Sequence, residues 1–143
     1  MTLDEGKKRE LAARAEEMLR RSYVPYSGFS VGAALLCKNG EIFTGCNIEN
    51  ASYPATNCAE RTAIFKAVSE GFTEFTAIAV VGGFKRRIES FCPPCGVCRQ
   101  VMAEFCDPET FQVILANAEG ELRTMALKEL LPMSFTPDHL QRE

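Results

Sequence analysis

The run FSVGAALLC-KNG-EIFTGCNIE, residues 29–49, constrains the fold most. Two mostly apolar stretches flank Asn39-Gly40, a dipeptide that tolerates the positive φ angles of a tight hairpin turn. A strand over 29–37 and a returning strand over 41–49 therefore pair antiparallel. Beyond residue 57 the period of the apolar positions changes. CAERTAIFKAVSEG (58–71) has helical spacing, with Ala63, Ile64, Ala67 and Val68 on one face and Gly71 as a stop. FTAIAVVGG (75–83) is a short apolar strand of the doubly buried type. CGVCRQVMAEFC (95–106) reads as a helix, FQVILAN (111–117) as a strand, LRTMA (122–126) as a last short strand and LKELLP (127–132) as a short helix. Upstream, residues 3–23 read as an amphipathic helix with Leu11, Ala15, Met18, Leu19 and Tyr23 inward. A hairpin followed by strand–helix alternation gives an α/β sheet with the hairpin at one edge and helices on both faces.

The 143 residues suit one domain, 1–143, with a loose polar tail from about 136. Net charge is −3, which argues against nucleic acid as a partner because a phosphate-binding surface needs a basic excess. The one dense basic run, Lys85-Arg86-Arg87, reads as a solvated loop. The first twenty-one residues are charged throughout, so neither a signal peptide nor a membrane span is expected. A cytoplasmic location is the resulting expectation, and thiols stay reduced there. Seven cysteines are many for such a chain and odd in number, which points away from a disulfide framework and toward metal or catalysis.

Cys92, Cys95 and Cys98 fall within FCPPCGVCRQ (91–100). Cys95 and Cys98, three apart in a first helical turn, present both sulfurs on one side. Zinc wants four ligands in a tetrahedron. The only histidine, His139, lies in the polar tail, so a third ligand is a cysteine, with Cys92 and Cys58 the candidates. Cys92 would begin a C-x-x-C-x-x-C cluster run, but position 102 is Met where such a run wants its fourth cysteine. Using Cys58 and Cys92 together would make a structural four-cysteine zinc module, and cycling Cys95 with Cys98 a metal-free redox pair. Cys58 has a distinctive neighbour, Glu60, in NCAER. A structural site has no use for a carboxylate that is not a ligand. A hydrolytic site keeps one position for water and needs a base for that water's proton.

Cys58-Ala59-Glu60 and Pro94-Cys95-Gly96-Val97-Cys98 together resemble the C-x-E … P-C-x-x-C signature of the zinc nucleobase deaminases. About 35 residues separate the two, enough for a helix, a strand and a loop. FSVGAALL, GCNIENASYP, NCAERTAI and PCGVCRQVMAEF are similar to the three-cysteine branch of the cytidine deaminase family, from about Tyr23 to Phe135. The resemblance implies a three-layer α-β-α sandwich with a mixed five-stranded sheet. It implies one Zn²⁺ per subunit on Cys58, Cys95 and Cys98, Glu60 as the proton shuttle, and deamination of cytidine and deoxycytidine. Cys92 departs from the pattern as a spare thiol. Three thiolates on Zn²⁺ sum to −1, and Arg61, by position and by resemblance, offsets that charge from beside the sulfurs.

The remaining roles come from the resemblance alone. Phe29 packs on the cytosine face. Asn47 and Glu49 bind ribose hydroxyls. Ala59 and Cys95 offer main-chain groups to the base. Ala51 and Tyr53, in the Asn50–Tyr53 loop, reach a neighbouring subunit's site, and Phe135 is donated across the interface of a homotetramer. An alternative within the class is a deaminase of another aminopyrimidine nucleoside, such as a blasticidin-type antibiotic.

Overall fold

The computed structural model describes residues 3–140. Asp4 caps the first helix, α1 (Glu5–Glu17), its carboxylate accepting from the Lys7 N–H at 2.8 Å. α1 tightens into a 3-10 turn at Met18–Arg21 and ends there, short of the expected Tyr23. Leu11, Ala15 and Leu19 are buried as their spacing requires, while Tyr23 is exposed. The Tyr23 main chain instead pairs with Asn47 and Glu49, extending the sheet edge.

β1 (Phe29–Cys37) and β2 (Ile42–Cys46) form the expected hairpin, with Gly40 at φ 98° in the turn. β2 stops at Cys46 rather than Glu49. The Asn47 side chain takes over the ladder, Oδ1 accepting from the Val31 N–H and Nδ2 donating to the Phe29 carbonyl, both at 2.9 Å. α2 (Ala59–Ser69) starts one residue later than expected. Cys58, not Asn57, holds the cap position, and its side chain makes no cap hydrogen bond. The Asn57 amide is turned to Thr62 Oγ1 at 3.1 Å.

β3 (Phe75–Phe84), α3 (Gly96–Phe105), β4 (Gln112–Ala116), β5 (Leu122–Ala126) and α4 (Leu127–Leu130) complete the chain. The sheet order is β2-β1-β3-β4-β5. β3 runs antiparallel to β1 and parallel to β4, and β5 returns antiparallel, so the sheet is mixed. Alternation along the strands serves two cores. Ala34, Leu36, Val81 and Ile114 meet α1 on one face. Leu35, Ile78, Val80 and Val113 meet α2 and α3 on the other. Each fully buried Leu, Ile or Val contributes about 1.5–3 kcal/mol. This is the three-layer sandwich the resemblance implies.

Gly45 sets where α2 lies. A Cβ there would stand 2.5 Å from the Ala59 carbonyl oxygen and 2.6 Å from the Ala63 nitrogen. Bare backbone at this point lets the first turn of α2 press onto β2. Beyond α4 the chain was expected to be loose from about 136. Pro137–His139 instead form a 3-10 turn, with the Thr136 N–H donating to His139 Nδ1 at 3.0 Å. Residues 141–143 of that tail lie outside the described residues. Among the described residues, no helix is long and apolar enough to cross a membrane.

Candidate metal centre

Two helix N-termini converge on the α2–α3 face. Cys58 caps α2, Cys95 caps α3, and Cys98 lies in the first turn of α3. Both cap cysteines have extended backbone, at ψ 158° and 168°. Neither sulfur is spent on capping, so both stay free as ligands. The three sulfurs lie within 4.8 Å of one another, and Cys58 and Cys95 are 3.7 Å apart. Two sulfurs about 2.3 Å from a tetrahedral zinc stand about 3.8 Å apart. The set therefore fits one zinc ion, and the partial positive charge of two helix starts favours thiolates there.

Cys92 is outside this group. Its sulfur lies over Gly82 beside the Phe29 ring: a Cβ on Gly82 would be 3.0 Å from Cys92 Sγ and 3.2 Å from Phe29 Cε2. Burial, then the negative charges of Glu60 and Cys58, push the Cys92 thiol up to about 11. It stays protonated and packs as a small apolar group. Four-cysteine coordination has no geometric basis here.

The charge pattern around the sulfurs is asymmetric. A hydrogen bond from Cys98, followed by those from Arg61 and Cys95, draws the Cys58 thiol down to about 5. The same pairing with Cys58, together with burial, pushes Cys98 upward. Of the two, Cys58 is the sulfur that gives up its proton first. Arg61 Nη2 donates to Cys58 Sγ at 3.3 Å, the position beside the sulfurs that the sequence suggests.

Glu60 is buried, at 3% exposure. Burial raises its carboxyl to about 7, near the value at which a group both takes and returns a proton at neutral pH. Ala59 is fully buried at the start of α2. Phe29 is half-buried and meets Phe84 edge-on, with ring centroids 5.0 Å apart.

The other expected site residues have structural occupations. Glu49 Oε1 accepts from the Tyr26 and Ser27 N–H groups at 3.0 and 3.1 Å, and Oε2 accepts from the Ser27 hydroxyl. These bonds, the Ser27 hydroxyl first, hold the Glu49 carboxyl below its ordinary value. Ser27 Oγ in turn accepts from the Phe29 N–H at 3.0 Å. Ala51 and Tyr53 are exposed, and Tyr53 meets Tyr26 edge-on at 6.0 Å. Phe135 is exposed and stacks on His139.

Sequence reasoning missed Ser27 and Arg99. Ser27 offers only a turn signal, although it joins Glu49 to Phe29. Arg99 comes directly after Cys98. Its Nε donates to the Pro94 carbonyl at 2.8 Å and its Nη1 to the Leu130 carbonyl at 2.7 Å. No local pattern foretells a bond spanning 31 residues.

Known proteins are similar to this chain over most of its length. A family model described as the cytidine and deoxycytidylate deaminase zinc-binding region matches residues 5–114. A cytidine deaminase of Halalkalibacterium halodurans is 56% identical over 119 residues, 83% of this chain and 86% of that one. One from Sporosarcina psychrophila is 47% identical over 131 residues, 92% of this chain and 93% of that one. The 1.6 Å crystal structure of cytidine deaminase from Burkholderia pseudomallei superposes with a TM-score of 0.81 at 46% identity, covering 89% of this chain and 98% of that one. With its three convergent thiols and buried glutamate, the chain belongs to the cytidine and deoxycytidylate deaminase family.

Proposed function

We propose that this protein hydrolyses the exocyclic amino group of cytidine and deoxycytidine, releasing uridine or deoxyuridine and ammonia. The observation that carries the reading is Glu60, a buried carboxyl that is not one of the three clustered ligands yet shares a helix turn with Cys58. Cys58, Cys95 and Cys98 would hold a zinc ion, which would polarise a water for attack, though less strongly than a zinc on neutral ligands.

Glu60 does the proton work. It takes a proton from the attacking water as oxygen adds to C4 and delivers that proton to N3. Glu60 then takes the proton of the new C4 hydroxyl and passes it to the amino nitrogen, and the C4–N bond breaks to release ammonia. Its elevated value suits a carboxyl that must hold and return a proton at neutral pH. Arg61, by donating to Cys58 Sγ, offsets part of the −1 charge of a three-thiolate zinc site.

Phe29 packs on the base. Asn47 and Glu49 bind the sugar hydroxyls, and hydrogen-bond accounting supports this. Glu49 accepts three bonds of about four it can take, and Asn47 keeps one N–H and one lone pair free. Ala59 and Cys95 offer main-chain groups to the base edge. Ala51, Tyr53 and Phe135 complete the site of a neighbouring copy in a homotetramer, a role their exposure suits. The enzyme works on free nucleosides in cytoplasmic pyrimidine salvage, as one domain with no nucleic-acid or membrane partner.

The test is to mix the zinc-loaded protein with cytidine and follow ammonia and uridine together. Stoichiometric release of both establishes the reaction. A fully loaded protein that releases neither rules out cytidine and turns attention to other aminopyrimidine nucleosides.

A further inference from the structure

The three clustered cysteines are not held alike. Cys98 is fully buried, and packing fixes it. Cys58 is half-buried, and its sulfur receives the Arg61 guanidinium. Cys95 is exposed, so no packing fixes its side chain. The segment that delivers it, 91–95, has no regular structure and contains Pro93 and Pro94, which have no N–H to anchor it. Direction must reach the Cys95 sulfur through its own main chain.

That main chain is held next to Cys95, where Pro94 is buried and its carbonyl is hydrogen-bonded. The Pro94 carbonyl belongs to the Pro94–Cys95 peptide, so fixing that oxygen fixes the plane from which the Cys95 Cα–Cβ bond springs. Arg99 Nε donates to it at 2.8 Å. The Arg99 N–H also donates to the Cys95 carbonyl at 3.0 Å, as the first closed turn of α3. One residue therefore grips the carbonyls on both sides of Cys95. The guanidinium has an outside reference as well. Nη1 donates at 2.7 Å to the carbonyl of Leu130, the last residue of α4, where a free carbonyl awaits a cation. A planar fork holds two such oxygens in fixed relation, and a lysine ammonium on its flexible stem does not.

We propose that Arg99 is a positioning residue for the metal centre, bracing the Pro94–Cys95 peptide against the end of α4 so that the exposed Cys95 sulfur meets Cys58 and Cys98. The proposal rests on the three-cysteine zinc reading and adds to it a residue that touches neither metal nor substrate.

The experiment measures zinc release from the full-length holoprotein to a chromogenic chelator, beside the absorption spectrum of the cobalt(II) form. Arg99→Met is expected to release zinc about tenfold faster or more, the scale on which outer-shell partners act on metal affinity. Its thiolate-to-cobalt charge-transfer band should fall by about a third as three sulfur ligands become two. Arg99→Lys, which keeps the charge and loses the fork, should release zinc nearly as fast as Arg99→Met. Gln100→Met is the control for general tethering. It removes only the 2.8 Å bond from α3 to the Phe135 carbonyl and should leave zinc release unchanged. A cycle with Cys95→Ser guards against a poorly folding variant. If Arg99 acts through Cys95, its replacement adds no further loss of zinc affinity in the Cys95→Ser protein. Unchanged release in both Arg99 variants, or an undiminished extra loss in the Cys95→Ser background, overturns the assignment. A wild type that binds no zinc overturns the metal reading itself, and the assignment with it.

Discussion

The starts of α2 and α3 meet at one centre by different means. Each places a cysteine at the cap position with its sulfur unused by the helix. α2 is pressed onto β2 where Gly45 leaves no room for a side chain, and it carries chemistry of its own in Glu60 and Arg61. α3 begins in the open. Gly96, its first residue, has nothing within 4 Å of where a Cβ would sit, and its exposed Cys95 takes its direction from the main chain. One helix start is a packed reactive element, and the other is a ligand arm. Losses at α2 should therefore appear in turnover and stability as well as in metal retention, and losses at α3 in metal retention alone.

Glu60→Gln tests this division most severely. It removes proton transfer at the α2 start and leaves every sulfur in place, so kcat should fall by about 10²–10⁴-fold with zinc content unchanged. A mild loss would reduce Glu60 to a first-turn acid favouring the helix dipole. Acid is the next probe. Cys98, pushed up by its pairing with Cys58 and by burial, keeps its proton at neutral pH in the metal-free protein and must lose it to zinc. Zinc affinity should therefore fall as pH drops from 7, since every thiol that still holds its proton must give it up to bind. The fall should steepen below about 5, where Cys58 also takes up a proton, and metal competition across that range reads it directly. Arg61→Ala strips a donor from Cys58 Sγ and should weaken zinc binding about 10–100-fold; unchanged zinc content and activity would leave Arg61 an ordinary arginine. The paired glycines sharpen the contrast at the smallest scale. Gly45→Ala forces a methyl into the α2 backbone and should cost about 1–3 kcal/mol in denaturant unfolding. Gly96→Ala, in open space, should be neutral or stabilise by up to about 1 kcal/mol. Equal costs at the two sites would erase the distinction between packed and open starts.

The clustering of Cys58, Cys95 and Cys98 was legible because each belongs to a short motif at a helix start. The strands were legible because alternation and the Asn39-Gly40 turn are local signals. Errors arose where a side chain replaced main chain. Asn47 closes β2 early by taking the place of a ladder partner, and Asn57 yields the cap to Cys58 by turning to Thr62. Tyr23 kept helical spacing after the helix had ended, because its partners lie at 47–49. Glu49 also secures Tyr26 and Ser27, contacts that no local sequence signal announces. Arg99 was out of reach, since a bond to residue 130 exists only once the fold does.

β3 lies between the two halves of the metal centre in sequence and at the middle of the sheet in space. Cys58 precedes it, and Cys95 and Cys98 come after it. During synthesis the chain therefore delivers one thiol of the cluster first and the other two only later, and neither part alone makes a tetrahedral site. The third ligand arrives only when β3 has docked between β1 and β4, a non-local event of the kind that sets the slow step in sheet proteins. The three-sulfur group is thereby complete only in a chain whose sheet has brought its two halves together.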